Sequence, residues 1–227
     1  LKSEAWAACD SGPPGPLDGR ECWCGLDLAT TYDTSAFIAL FPAEDGTFDI
    51  LCRFWIPGDN AHDREKRDRV PYLTWANDET TGLKMTDGNV TNYDVIRRDI
   101  NDFAQKYNVR QLAIDRWNAT QLAIQLSEDN LDVVGFSQGI GSMSAPSKLL
   151  ENLVVSGKIR HAGNKVLTWM AGNASVKVDA NGNFRPVKPK AGSAERIDGI
   201  VSLIMALGIY SAKKLPEETP DPEILIL

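Results

Sequence analysis

The sequence predicts an α/β fold: a mixed sheet, an antiparallel meander on one side and parallel strands on the other, flanked by helices, with a β-hairpin before the C-terminal helix. Three observations predict it. Three apolar runs near the N-terminus are joined by turns too short for a parallel crossover. A strand–helix–strand succession follows them, which implies parallel pairing. Asn181-Gly182 then separates two short extended segments ahead of a long apolar helix.

Taken in order, residues 1–20 contain Asp10-Ser-Gly-Pro-Pro-Gly-Pro16 and read as a linker from a missing N-terminal domain rather than as core. The absence of an initiator Met at Leu1 agrees with an excised domain. Cys22–Ala29, Ser35–Pro42 and Thr47–Ile56 are the meander strands, the last two divided by the turn Glu44-Asp45-Gly46. Residues 60–90 are charged, with helical character around His62–Arg69 and no other clear element. Asn92–Tyr107 spaces Ile96, Ile100, Phe103 and Tyr107 as a helix does. Val109–Asp115 is a buried strand, Ala119–Glu128 a helix and Leu131–Phe136 a further strand. Helices are expected over Ser147–Ser156 and Val166–Gly172, and a hairpin over Ala174–Asp179 and Asn183–Val187. Ser193 is placed to cap the last helix, which runs to about Ala212 with Ile197, Ile200, Val201, Ile204 and Leu207 on one face. The main body is 21–213, and 214–227 is an acidic, Pro-rich tail.

Composition limits the function classes. With 24 Lys or Arg against 31 Asp or Glu, the net charge of −7 argues against a general nucleic-acid coat. The charge is unevenly spread: Lys158–Arg196 holds eight Lys or Arg against Asp179 and Glu195, a net of +6, which leaves −13 for the rest. No run approaches the roughly 20 apolar residues of a membrane span. Cys9, Cys22, Cys24 and Cys52 form no metal framework; Cys22 and Cys24 share one face of a strand and read as buried free thiols in a reduced, intracellular setting. His62 and His161 lie near no motif and read as surface residues, and Trp55, Trp75, Trp117 and Trp169 as packing residues.

Three aspartates stand where carboxylates are costly or directed. Asp27 interrupts an apolar strand, with Leu26 and Leu28 pointing away from it. Asp115 ends Leu112-Ala-Ile-Asp115, and Asp198 lies one turn inside the last helix. In the inferred order the first and fourth strands are neighbours at the centre of the sheet and the last helix crosses them. Three clustered carboxylates do not all stay ionised without positive charge. Oxygen ligands with no His or Cys cluster favour Mg²⁺ or Mn²⁺ over zinc. Two such ions roughly 4 Å apart activate water and steady the leaving oxygen of a phosphodiester.

The element order resembles a ribonuclease H-like fold. Within it, Gly25-Leu-Asp-Leu-Ala29, Ala113-Ile-Asp-Arg-Trp117 and Arg196-Ile-Asp-Gly-Ile-Val-Ser-Leu-Ile-Met-Ala206 resemble the three acidic motifs of tailed-phage large terminase nuclease domains. Trp169-Met-Ala-Gly-Asn173, the hairpin Asp179-Ala-Asn-Gly-Asn183, and Lys188 and Lys190 are similar to what precedes the last acid in that family. The resemblance implies an endonuclease that trims concatemeric double-stranded viral DNA with two Mg²⁺ or Mn²⁺ ions held by Asp27, Asp115 and Asp198. Asp33 matches an extra acid of some relatives, but beside Thr30-Thr-Tyr32 it reads first as a turn residue and only then as a further metal ligand. Lys188, Lys190 and Arg196, with Lys177 and Arg185 on the hairpin arms, are expected to meet DNA phosphates, which position a duplex without reading its sequence. Asn173 is expected to position a water or phosphate, or to cap a helix. The resemblance further implies the portal protein, the small terminase subunit and an ATPase domain of the same full-length chain as partners, no membrane, and the host cell cytoplasm as the setting. No G-x-x-x-x-G-K-[ST] loop is present, since Gly139-Ile-Gly-Ser-Met-Ser144 lacks the Lys.

Three other readings stay open from the residues. Asp27-Leu-Ala-Thr-Thr31 resembles the first phosphate loop of actin-like ATPases and sugar kinases, although the second loop and the duplicated domain are missing. A Holliday-junction resolvase also uses acids and Mg²⁺, with a more basic surface than −7 provides. A catalytically silent module docking on a capsid portal would use the acids for structure alone.

Overall fold

Alternation of side chains across the meander strands decides the layering. A computed structural model describes residues 1–29, 33–115, 120–190 and 194–214 of the 227. Its elements in chain order are α1 (Ser3–Ala7), β1 (Glu21–Asp27), β2 (Ser35–Pro42), β3 (Phe48–Pro57), α2 (Ala61–Asp68), α3 (Tyr72–Ala76), β4 (Leu83–Thr86), α4 (Tyr93–Lys106), β5 (Asn108–Asp115), α5 (Thr120–Glu128), β6 (Val133–Phe136), α6 (Ile140–Val155), β7 (Ile159–Arg160), α7 (Lys165–Asn173), β8 (Ser175–Val178), β9 (Phe184–Val187) and α8 (Asp198–Lys214). The main sheet runs β4-β3-β2-β1-β5-β6, with β7 paired to β3. β2 is antiparallel to both β1 and β3; β5 is parallel to β1, β6 to β5 and β4 to β3. This is the mixed sheet the sequence predicts.

Ala36, Ile38 and Leu40 of β2 face one core, shared with α1, α3, α6, α7 and α8; Phe37, Ala39 and Phe41 face the other, shared with α4 and α5. Both faces of the sheet are therefore covered, which explains why its central strands read as unbroken apolar runs. Cys22 and Cys24 lie fully buried on the α4 side with their sulfurs 3.9 Å apart, and all four cysteines are free thiols. Asn92 caps α4 by accepting the N–H groups of Asp94 and Val95. Gly182 supplies the left-handed turn of the β8–β9 hairpin at φ +74, where a side chain would be strained.

Four expectations need correction. The segment 1–20 contributes to the core, because α1 buries Trp6, and Cys9 and Leu17 are buried after it. Trp6 stacks on His161 with centroids 4.6 Å apart, so His161 is 2 % exposed and not a surface residue. α6 begins at Ile140 rather than Ser147, running through Pro146; Gly and Pro in that stretch hide a helix that tertiary packing holds. α8 begins at Asp198, and it buries Leu203, Met205 and Ala206 as well as the predicted face, because β1, β2 and α6 enclose it. Ser193, Trp117 and residues 215–227 lie outside the described residues. Trp55 and Trp75 are buried, and Trp169 packs against Tyr72 and Trp75, as packing residues should. Among the described residues, no helix is long and apolar enough to cross a membrane.

Candidate active site

Asp27 and Asp115 end neighbouring parallel strands, and the register Leu26↔Ile114 sets them side by side. Leu26, Leu112 and Ile114 point into the α4 side, whereas Trp23 and Ala113 point into the α8 side. Period-two alternation then directs both carboxyls to the α8 face.

Asp198 reaches the same place because α8 lies against β1 at a glycine. A Cβ on Gly25 would stand 2.0 Å from the Ser202 carbonyl oxygen and 3.1 Å from the Ala206 nitrogen, so only glycine permits this approach. Ser202 Oγ lies 2.9 Å from the carbonyl of Asp198 and 2.9 Å from that of Ala36, tying the first turn of the helix to β2. Asp198 is the first helical residue rather than one turn inside, a place the helix dipole favours for an anion.

The three acids share one electrostatic environment. Burial pushes the Asp27 carboxyl well above the ordinary range, Asp198 adds to it, and Asp115 and Asp33 add further. Gln138 opposes the rise by donating from Nε2 to Asp27 Oδ1 at 3.0 Å. Asp198 is raised to about 6 by burial and then by Asp33, against Lys188 and Arg196, which lower it. Its Oδ2 is buried with no hydrogen-bond partner. Buried oxygens of this kind, with no sulfur or imidazole among them, fit a hard divalent cation. They do not form a closed ligand shell: among the described residues, no three His, Cys, Asp or Glu side chains are spaced to hold a metal ion. Holding one requires the carboxylates to draw together from this spacing.

A second cluster adjoins the acids. Asp33 Oδ1 accepts from Lys188 Nζ at 2.5 Å and from Arg196 Nη1 at 2.7 Å. Arg196, 4 % exposed, also reaches Asp68 Oδ2 at 3.4 Å. Burial pushes the Asp68 carboxyl up, but Arg67, Arg196 and the Tyr72 hydroxyl outweigh it and hold it below the ordinary value. Arg196 is thus a buried, paired residue. Lys190 and Lys177 are exposed, and Arg185 lies half-buried with Nη1 3.5 Å from the Gln138 carbonyl. Asn173, the last residue of α7, donates to the Arg196 carbonyl at 3.1 Å and so holds the approach to α8.

Sequence reasoning did not find Gln138, Asp68, Tyr72 or Arg64. Gln138 sits in a Ser-Gln-Gly loop, where an amide carries no spacing signal. The other three fall in the charged stretch that offered no apolar period, although its buried Arg64 and fully buried Asp68 side chain brace the site.

Comparison with known proteins places the chain in a family. The domain family described as "Terminase large subunit, endonuclease domain" matches residues 1–214. The chain is 34% identical over 213 residues to the large terminase subunit of Enterobacteria phage HK97, spanning 92% of this chain and 40% of that protein. It is 33% identical over 215 residues to protein YmfN of Escherichia coli (strain K12), spanning 90% of this chain and 47% of YmfN. The crystal structure of the HK97 large terminase superposes with a TM-score of 0.83 at 31% identity, over 92% of this chain and 43% of that one. The large terminase nuclease of thermophilic phage G20c, crystallised with bound magnesium, shares the fold with a TM-score of 0.54 at 14% identity, over 89% of this chain and 95% of that one. The chain spans less than half the length of the curated relatives it matches.

Proposed function

The chain belongs to the family of terminase large-subunit endonuclease domains, and from that premise we propose that it is a divalent-metal-dependent endodeoxyribonuclease cutting concatemeric double-stranded DNA during viral genome packaging. The observation that carries this reading is the packing of α8 against β1 at Gly25, which brings Asp198, the first residue of that helix, to the strand that Asp27 ends; the Asp198 charge helps raise the Asp27 carboxyl. Evolution of a buried like-charge pair is costly unless a cation is to neutralise it.

In this reading Asp27, Asp115 and Asp198 hold the metal. Two Mg²⁺ or Mn²⁺ ions would supply a nucleophilic water near neutral pH and stabilise the charge developing on the leaving oxygen. The bound magnesium of the G20c nuclease supports that choice of ion. Gln138, through Asp27 Oδ1, orients the first carboxylate. Lys188 and Arg196 meet backbone phosphates beside the acids, and Lys190, Lys177 and Arg185 extend the cationic track along the hairpin. Asp33 stands between these two groups, through its pairs with Lys188 and Arg196.

Residues 21–213 then form the nuclease body, with 1–20 leading from an ATPase domain and 214–227 as a tail. The portal protein and small terminase subunit are the proposed partners, in the host cell cytoplasm. The test is conversion of supercoiled plasmid to nicked and linear forms. Cutting is expected in Mn²⁺ or Mg²⁺ and none in EDTA. Equal cutting in EDTA contradicts the metal-dependent reading.

A further inference from the structure

The geometry points to an anion-binding site, formed by Lys188 and Arg196, that Asp33 fills from within the chain and that a DNA phosphate takes over by displacing the Asp33 carboxylate. This rests on the reading of the domain as a DNA-cutting enzyme.

Both cations converge on a single oxygen, Asp33 Oδ1. An ammonium and a guanidinium aimed at one oxyanion are the donors that a phosphate oxygen also takes. Arg196 is held in advance. The Arg196 side chain is 5 % exposed and its other nitrogen faces Asp68, whose own side chain is fully buried and bound by Arg67 and Tyr72. Asn173 fixes the Arg196 backbone. Asp33, by contrast, is the solvent-facing member of the cluster, its side chain 41 % exposed and Lys188 24 %. An incoming anion therefore meets the carboxylate first, and exchange leaves the buried bracing of Arg196 in place. Asp33, Lys188 and Arg196 all act on Asp198, so an anion seated there lies within the field of the acidic centre.

Lys188 and Arg196 share the Asp33 carboxylate, and Arg196 and Arg67 share that of Asp68. Asp33→Asn keeps the shape of the side chain and leaves one cation uncompensated. The experiment measures binding of a short duplex oligonucleotide by fluorescence anisotropy in EDTA, across a salt series, for the wild type, Asp33→Asn, Lys188→Ala and the double variant. Asp33→Asn is expected to bind several-fold more tightly. The slope of log affinity against log salt should steepen by about one, as for one added phosphate contact. In the Lys188→Ala background the gain should shrink, because only Arg196 remains of the two cations that Asp33 holds. An unchanged or weaker affinity for Asp33→Asn overturns the proposal. So does an equal gain in both backgrounds, which marks only the removal of a nearby negative charge, and so does an absence of binding in every variant. Asp33→Ser, checked by thermal melting, gives the same comparison should the Asn variant fold poorly. Plasmid cutting in Mn²⁺ by the wild type is scored separately: its absence counts against the nuclease reading, whereas additive binding effects with intact cutting count against displacement alone.

Discussion

Asp198→Asn is expected to reduce plasmid cutting by about a thousandfold or more, while making the metal-free domain harder to unfold at neutral pH. On the proposed two-metal reading, the loss follows from removing one anionic ligand from a centre whose cations would contribute several kcal/mol to the transition state, each ~1.4 kcal/mol being a factor of ten. The gain in stability follows from linkage. In the folded chain Asp198 titrates near 6, above the ordinary 3.8, so folding is favoured by its protonated form. That favourable contribution is complete below about pH 4 and is lost as pH rises to about 6 and beyond. Above that range the ionised, buried carboxylate opposes folding, and an uncharged amide of the same shape does not. Roughly 1–3 kcal/mol of added stability is expected at pH 7.5 in EDTA, shrinking toward zero near pH 4. Thermal melts of both proteins across this range, beside the plasmid assay, measure the two effects. A variant that cuts at the wild-type rate removes Asp198 from the centre. One that is less stable at every pH shows that the carboxylate serves packing instead.

Gly25→Ala should be nearly as damaging, although it alters no charge. The new methyl would sit 2.0 Å from the Ser202 carbonyl oxygen and 2.9 Å from its carbon. These are helix backbone atoms and cannot swing aside as a side chain does. α8 must lift from β1, weakening the Ser202 Oγ contact with Ala36 and carrying Asp198 away from Asp27. Overpacking of this severity costs about 3 kcal/mol or more, which for a domain of this size lowers Tm by roughly 6–12 °C. Cutting should fall with it, since the acids no longer meet. Gly141→Ala provides the contrast: a Cβ there meets nothing within 4 Å, inside α6, so its Tm should stay level or rise slightly. A Gly25→Ala protein melting within a degree of the wild type contradicts the close approach that brings the site together.

Both predictions involve residues whose importance the sequence displays unequally. Asp27 stands out by itself, because a carboxylate inside an apolar strand is anomalous. Asp115 and Asp198 become visible through their order and through the motifs around them. The strands β1, β2, β3 and β5 and the helix α4 are legible because burial imposes a simple period or a continuous apolar run on each. β4 and α3 are not, since they lie among charged and turn-forming residues and gain their stability from Trp75, Tyr72 and Leu83 meeting the core. α1 escapes because five residues are too few to show a period. Positions 33, 68, 188 and 196 carry the sharpest lesson. Each looks like an ordinary surface charge, and their pairing spans up to 163 positions of sequence, so only the folded chain reveals that Arg196 is buried between two carboxylates.

Diffraction from crystals soaked in Mn²⁺, with data collected to exploit the anomalous signal of manganese, addresses the proposed metal centre most directly. Anomalous density is expected between the carboxyl groups of Asp27, Asp115 and Asp198, with those side chains drawn inward around it. Manganese bound elsewhere on the surface, with these three carboxylates left apart and unligated, would contradict the account.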